Sequence, residues 1–117
     1  MSVSGPYPTL YNAAPTTSNS TLYTSAAGDG LHQALAINGT GSAATITLTL
    51  VRKGGTLTDA YAVPIAAAVS VAANSCLELL YSEGLHSEYG ELLMETGDTL
   101  QGLQGTGSAI TLLVFGT

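Results

Sequence analysis

Hydrophobic and polar residues alternate with a period of two over most of the chain beyond residue 20. The clearest run is Thr45–Leu50, where Ile46, Leu48 and Leu50 alternate with Thr45, Thr47 and Thr49. That pattern predicts a strand with one core face and one threonine face, since threonine's branched side chain suits the pleat. Leu31, Gln33, Leu35 and Ile37 are expected to share a face, opposite His32, Ala34 and Ala36. Ile65, Ala67, Val69 and Val71 alternate as well, so this alanine-rich stretch reads as a strand in the absence of capping signals or helical spacing. Asp59–Pro64 reads as a short edge strand ended by its proline. The pentapeptide Gly-Thr-Gly-Ser-Ala occurs twice, at 39–43 and 105–109, each time between alternating segments. Small residues with two glycines between such flanks predict two β-hairpin tips. Seven or eight short strands without a convincing helix predict an all-β chain: a single β-sandwich, for which a jelly roll is the type expected.

The first twenty residues follow another pattern. They hold three of the four prolines, in Gly5-Pro6-Tyr7-Pro8 and Ala14-Pro15, which exclude helix and favour extended backbone. The expected organisation is an extended N-terminal arm over 1–20 and a sandwich domain over 21–117. Tyr7, Leu10 and Tyr11 are the large apolar side chains of the arm, and they are its candidate partner-binding residues. At the other end, Ile110, Leu112 and Val114 form one apolar face, yet Leu113 and Phe115 make the opposite face apolar too. A strand apolar on both sides is covered on both. Leu113 and Phe115 are therefore candidates for an oligomer interface, or for cover by the arm or a loop.

Composition narrows the function. Charged residues make up 9% of the 117-residue chain, against about 25% in a typical soluble domain. A surface so poor in charge is either largely covered in an assembly or bland and polar. Two basic residues against eight acidic ones give a net charge of −6, which argues against nucleic acid and against an anionic membrane as partners. Met1-Ser2-Val3-Ser4 begins no recognisable signal peptide. Cys76, the single cysteine, is expected as a small packing residue. Glu83, His86 and Glu88 come nearest to a metal or acid–base cluster, but three candidate ligands with one histidine make a weak site. No nucleophile elbow, paired-cysteine motif, phosphate loop or calcium loop is present, so neither a catalytic activity nor a cofactor is expected.

Three segments carry a resemblance: Ala36–Leu48 with its small-residue tip, Val71–Leu79 with Asn74-Ser75-Cys76-Leu77-Glu78-Leu79, and Glu95–Gln101 with Gly97-Asp98. In this order they resemble small β-sandwich virion proteins of tailed bacteriophages, from about Leu31 onward. The resemblance implies a capsid decoration (cement) protein, located on the outer capsid surface, that cross-links capsomers. Its expected partners are the major capsid protein and copies of itself, with a homotrimer the expected assembly. The alternative within the same resemblance is a tail, fibre or adhesion module that binds a host surface glycan.

Overall fold

A computed structural model of the chain describes residues 8–59, 61–82 and 92–116. The chain forms two antiparallel sheets packed face to face, a β-sandwich. In sequence order the elements are β1 (Thr9–Ala13), β2 (Ser20–Thr24), β3 (Asp29–Asn38), β4 (Ala44–Val51), β5 (Ala62–Val71), β6 (Ser75–Glu78), a single helical turn α1 (Leu79–Ser82), β7 (Leu92–Met94), β8 (Thr99–Gln104) and β9 (Ile110–Gly116). One sheet has the order β1-β9-β3-β6, with β7 also paired to β3; the other has the order β2-β8-β4-β5. The strand pairs are nested: β4 with β5, β3 with β6, β2 with β8 and β1 with β9.

The core follows from the alternation. Ile46, Leu48 and Leu50 point inward and meet Leu112, Val114 and Ile110 from the other sheet, all fully buried. Leu79 and Leu80 of the helical turn join the same cluster. The threonine face of β4 points outward as expected, with Thr45, Thr47 and Thr49 only partly covered.

In β3 the face expected to be shared by Leu31, Gln33, Leu35 and Ile37 is divided. Ala34, Ala36 and Asn38 are buried, while Gln33, Leu35 and Ile37 face out and are half-buried. Leu31 nonetheless stays in the core, because the register against β9 shifts between Leu31 and Gln33. The added residue at this bulge reverses the alternation downstream. Small inward residues also leave room between the sheets for the leucines and isoleucines of β4 and β9.

Strand β5 spans both the alanine run and Pro64, an exposed residue on a sheet edge where a missing N–H costs no ladder bond. Two register shifts in its pairing with β4 interrupt the expected alternation, so Ala67 is exposed where Ala66 is buried. Asp59, the first residue of the expected edge strand, closes a turn over 56–59 instead, in which its carboxylate accepts from the N–H groups of Thr56 and Tyr61. The strand therefore starts only at Ala62.

Neither Gly-Thr-Gly-Ser-Ala segment is a hairpin tip. The first joins β3 to β4 and the second joins β8 to β9, and in both cases the flanking strands belong to opposite sheets. Each segment is a crossing between layers about 10 Å apart. Tight two-residue hairpins need positive φ at their central residues, and none of the four glycines in these segments has it. Alternating flanks are common to hairpins and to crossings, which is why the pattern misleads here.

The N-terminal segment is extended, but from Thr9 onward it belongs to the sandwich. β1 pairs along β9 from Thr9↔Phe115 to Ala13↔Leu112, and β2 begins at Ser20 on the edge of the other sheet. Between them Pro15 is buried.

Candidate functional site

Three surfaces stand out, and each is set by the sheet geometry. The first is the outer face of the β1-β9-β3-β6 sheet. The register places Phe115 beside Gln33, Leu113 beside Leu35 and Thr111 beside Ile37; on the other side of β3, Cys76 lies beside Ile37 and Glu78 beside Leu35. Directly opposed residues of an antiparallel pair share a face, so Leu35, Ile37, Leu113 and Phe115 form one contiguous apolar patch. Leu93 extends it. Met94 is buried in the core, so its neighbour Leu93 points outward, with 59% of its surface exposed. The one charged side chain in the row, Glu78, is turned back along the sheet, where its Oε2 accepts from the Ala34 N–H at 2.6 Å. The outer face of the second sheet is different in kind, with Thr45, Thr47, Thr49, Thr99 and Gln101.

The second surface is the end of the sandwich that carries both repeated pentapeptides, which lie side by side around a shallow depression of about 300 Å³. Each is anchored by a buried amide on the residue just before it. Asn38 donates from Nδ2 to the carbonyls of Ser42 (2.8 Å) and Val71 (3.0 Å), and its Oδ1 accepts from the Thr40 N–H (2.9 Å). Gln104 donates from Nε2 to the carbonyls of Pro15 (2.6 Å) and Ile110 (3.0 Å), and its Oε1 accepts from the Ile110 N–H (2.8 Å). The Asn74 N–H donates to the Thr40 carbonyl, and the Gln104 N–H to that of Thr16, tying four connections into one platform. Residues 14–19, 39–43, 72–74 and 105–109, which build it, include no charged side chain.

The charges gather at the opposite end. Asp98, 2% exposed, accepts from the Lys53 N–H at 2.9 Å, the Glu95 N–H at 2.8 Å and Arg52 Nη1 at 2.7 Å. Burial pushes its carboxyl upward, but the bonds from Glu95, Arg52 and Lys53 and the charge of Arg52 outweigh that and hold it below the usual carboxylate range. Asp29 accepts from the Tyr23 hydroxyl at 3.0 Å and the Ser25 hydroxyl at 2.6 Å. Burial, followed by the bond to Asp29 and its charge, raises the Tyr23 phenol. An open groove of about 630 Å³ runs between Asp29, Arg52, Leu93 and Glu95. These carboxylates serve as acceptors for turns, and among the described residues no group of three or more His, Cys, Asp or Glu is placed to hold a metal ion.

The residues singled out from sequence are distributed as follows. Leu113 and Phe115 lie half-buried on the outer face of their sheet. Leu10 and Tyr11, expected on a separate arm, pack against the core of the sandwich. Their strand supplies what an isolated arm lacks, because pairing with β9 lays them over the rim of the sandwich. Burial also raises the Tyr11 phenol. Tyr7 and the cluster Glu83, His86 and Glu88 lie outside the described residues. Cys76 is exposed on β6, not packed, since its position opposite Ile37 puts it on the outer face. Asn38 and Gln104 escape a reading based on periodicity. The signal available for them was positional: an amide stands directly before both copies of the repeat. Comparison with protein-family models, curated proteins and solved structures finds no match.

Proposed function

We propose that the chain is a structural virion protein of the capsid-decoration kind, seated on the outside of a capsid and acting through contacts with the major capsid protein and with copies of itself. The observation that carries this reading is the half-exposed apolar row of Leu35, Ile37, Leu113 and Phe115 on a sheet face, in a chain with little charge elsewhere. A large apolar patch on a small domain marks a surface meant to be covered. The nested strand pairing supports the reading from another side, because it is compatible with the jelly roll expected from the sequence, an architecture used by viral capsid and lectin domains. That kinship is one of architecture alone. The platform of repeated loops adds a rigid, uncharged end that can approach an acidic or neutral surface without repulsion.

The test is reconstitution. Particles stripped of the protein are incubated with the purified chain and imaged by electron cryo-microscopy. Regular density over the head and a higher temperature of particle breakdown are expected. Density confined to the tail would favour a host-adhesion module, and no density on any virion component would overturn the proposal.

A further inference from the structure

We infer that the outer face of the β1-β9-β3-β6 sheet pairs with the same face of a second copy, in a two-fold, face-to-face contact. This names the occupant of the surface on which the proposed function rests. It is tested on the free protein, so that its failure leaves the reconstitution result standing.

The first argument is electrostatic. The chain carries a net charge of −6, so any contact between two copies must avoid bringing carboxylates together. On this face Leu35, Ile37, Leu113 and Phe115 are uncharged, and so are Gln33 and Thr111 between them. Glu78, the one acid in the row, is held against the Ala34 N–H beside its own strand. Among the described residues, the other charged side chains Asp29, Arg52, Lys53, Asp59, Glu95 and Asp98 lie outside this row.

The second argument is symmetry. A ring of copies needs two different, complementary patches on each subunit, whereas a two-fold contact needs one patch that matches itself. The outer face of the other sheet is built from threonines, Gln101 and Leu103, and it offers no apolar counterpart of matching size. Among the described residues no other sheet face carries such a patch, so its own copy is the partner that satisfies it. Two sheets meeting this way would repeat the packing already used between the layers of one sandwich.

The third argument is size, and it sets the strength. Four strands about 4.8 Å apart and a seven-residue β9 at about 3.4 Å per residue give a face of about 450 Å², or about 900 Å² for the pair. Stable interfaces begin at about 1,200 Å². The contact is therefore a reversible one, which becomes firm when both copies are also held on a common scaffold.

Sedimentation velocity over a concentration series tests this on the wild-type chain and on Ile37→Lys, Leu113→Lys and Thr49→Lys, with circular dichroism melts to verify folding. Thr49 lies on the outer face of the opposite sheet and serves as the control. Wild type is expected to pass from monomer to dimer, more readily at high salt, which screens the net charge. An unpaired lysine buried at the seam should weaken the dimer by about 100-fold at position 37 or 113, while Thr49→Lys leaves it unchanged. A second readout survives misfolding of the lysine variants: labelling of wild-type Cys76, exposed in the single chain, by a bulky maleimide should slow as protein concentration rises. A wild type that stays monomeric, a species of trimer mass, equal weakening by Thr49→Lys, or Cys76 labelling independent of concentration would overturn the inference.

Discussion

Replacing Gln104 by Met should unfold a measurable fraction of this domain's stability from a single amide. Methionine nearly matches glutamine in volume, so the change removes hydrogen bonds without opening a cavity. Gln104 is fully buried and makes three bonds to backbone groups: the carbonyls of Pro15 and Ile110 and the N–H of Ile110. Of these partners, the Ile110 N–H and the Pro15 carbonyl lose the side-chain atoms that satisfy them. A buried polar group left without a partner costs about 1–3 kcal/mol, so two give a loss of about 2–5 kcal/mol after allowing for the gain from methionine's apolar surface. That is a large part of the about 5–15 kcal/mol by which such domains are stable. Equilibrium urea unfolding followed by far-ultraviolet circular dichroism reads the loss as a lower midpoint at unchanged slope, a shift of about 1–2 M. Gln101→Met is the control: on the same strand, Gln101 is half-exposed, bonding Asn19 and Thr99, and its loss should cost well under about 1 kcal/mol. A loss at Gln104 no larger than at Gln101 would show that water or backbone adjustment replaces the amide, and the anchoring role assigned to it would be wrong.

Asp98→Ala strips the acceptor from the Lys53 and Glu95 N–H groups and should cost about 2–3 kcal/mol in the same assay. Because the folded-state pKa of Asp98 is depressed, its contribution is complete above the ordinary carboxylate range and is lost as pH falls through the folded value; a wild-type pH series of melts should fall below about pH 4, and Asp98→Asn should flatten that fall. Gly116→Ala drives a Cβ into the Gly30 carbonyl, a backbone atom that cannot rotate away, and should lower stability by about 1–3 kcal/mol in urea. Ala68, exposed at φ 49° in a β5 bulge, should gain up to about 1 kcal/mol on substitution by Gly, read as a higher melting temperature. Deleting residues 2–13 removes β1 from the edge of β9 and should lower the melting temperature, whereas a separate arm could be removed without effect.

The sandwich was legible because strands with one buried face write their period into the chain. The threonines and aliphatics of β4 leave little choice, and Val69 and Val71 settled the alanine run as a strand. The faces of β3 were not legible, since a bulge reverses them and nothing in Leu31-His32-Gln33 marks the extra residue. Hairpin and crossing could not be told apart either, because alternation reports which side of a strand is wet and not which strand lies beside it. That Leu10 and Tyr11 join the sandwich was not legible for a related reason: a short segment's apolar content says nothing about a partner strand at the far end of the chain. The interface candidates Leu113 and Phe115 were visible because excess hydrophobicity on an outer face violates the local rule. Their neighbours Leu35 and Ile37 were hidden because the pattern groups them with Leu31, which the bulge puts on the other face.

The nested pairing has a consequence for how the molecule comes into being. Among the described strands, only β4 and β5 are both consecutive in sequence and hydrogen-bonded to each other; every other described pair joins strands separated along the chain. Contacts of that kind form slowly, since a long loop must close before any bond rewards it. As the chain emerges from the ribosome, β4 and β5 can zip early, but β3 waits for β6, β2 for β8 and β1 for β9. Until β9 has been made, the aliphatic faces of β3 and β4 stay open to each other's copies on neighbouring nascent chains. Threonine on one side of β4 then acts before there is any fold to stabilise, by keeping one face of the waiting strand polar.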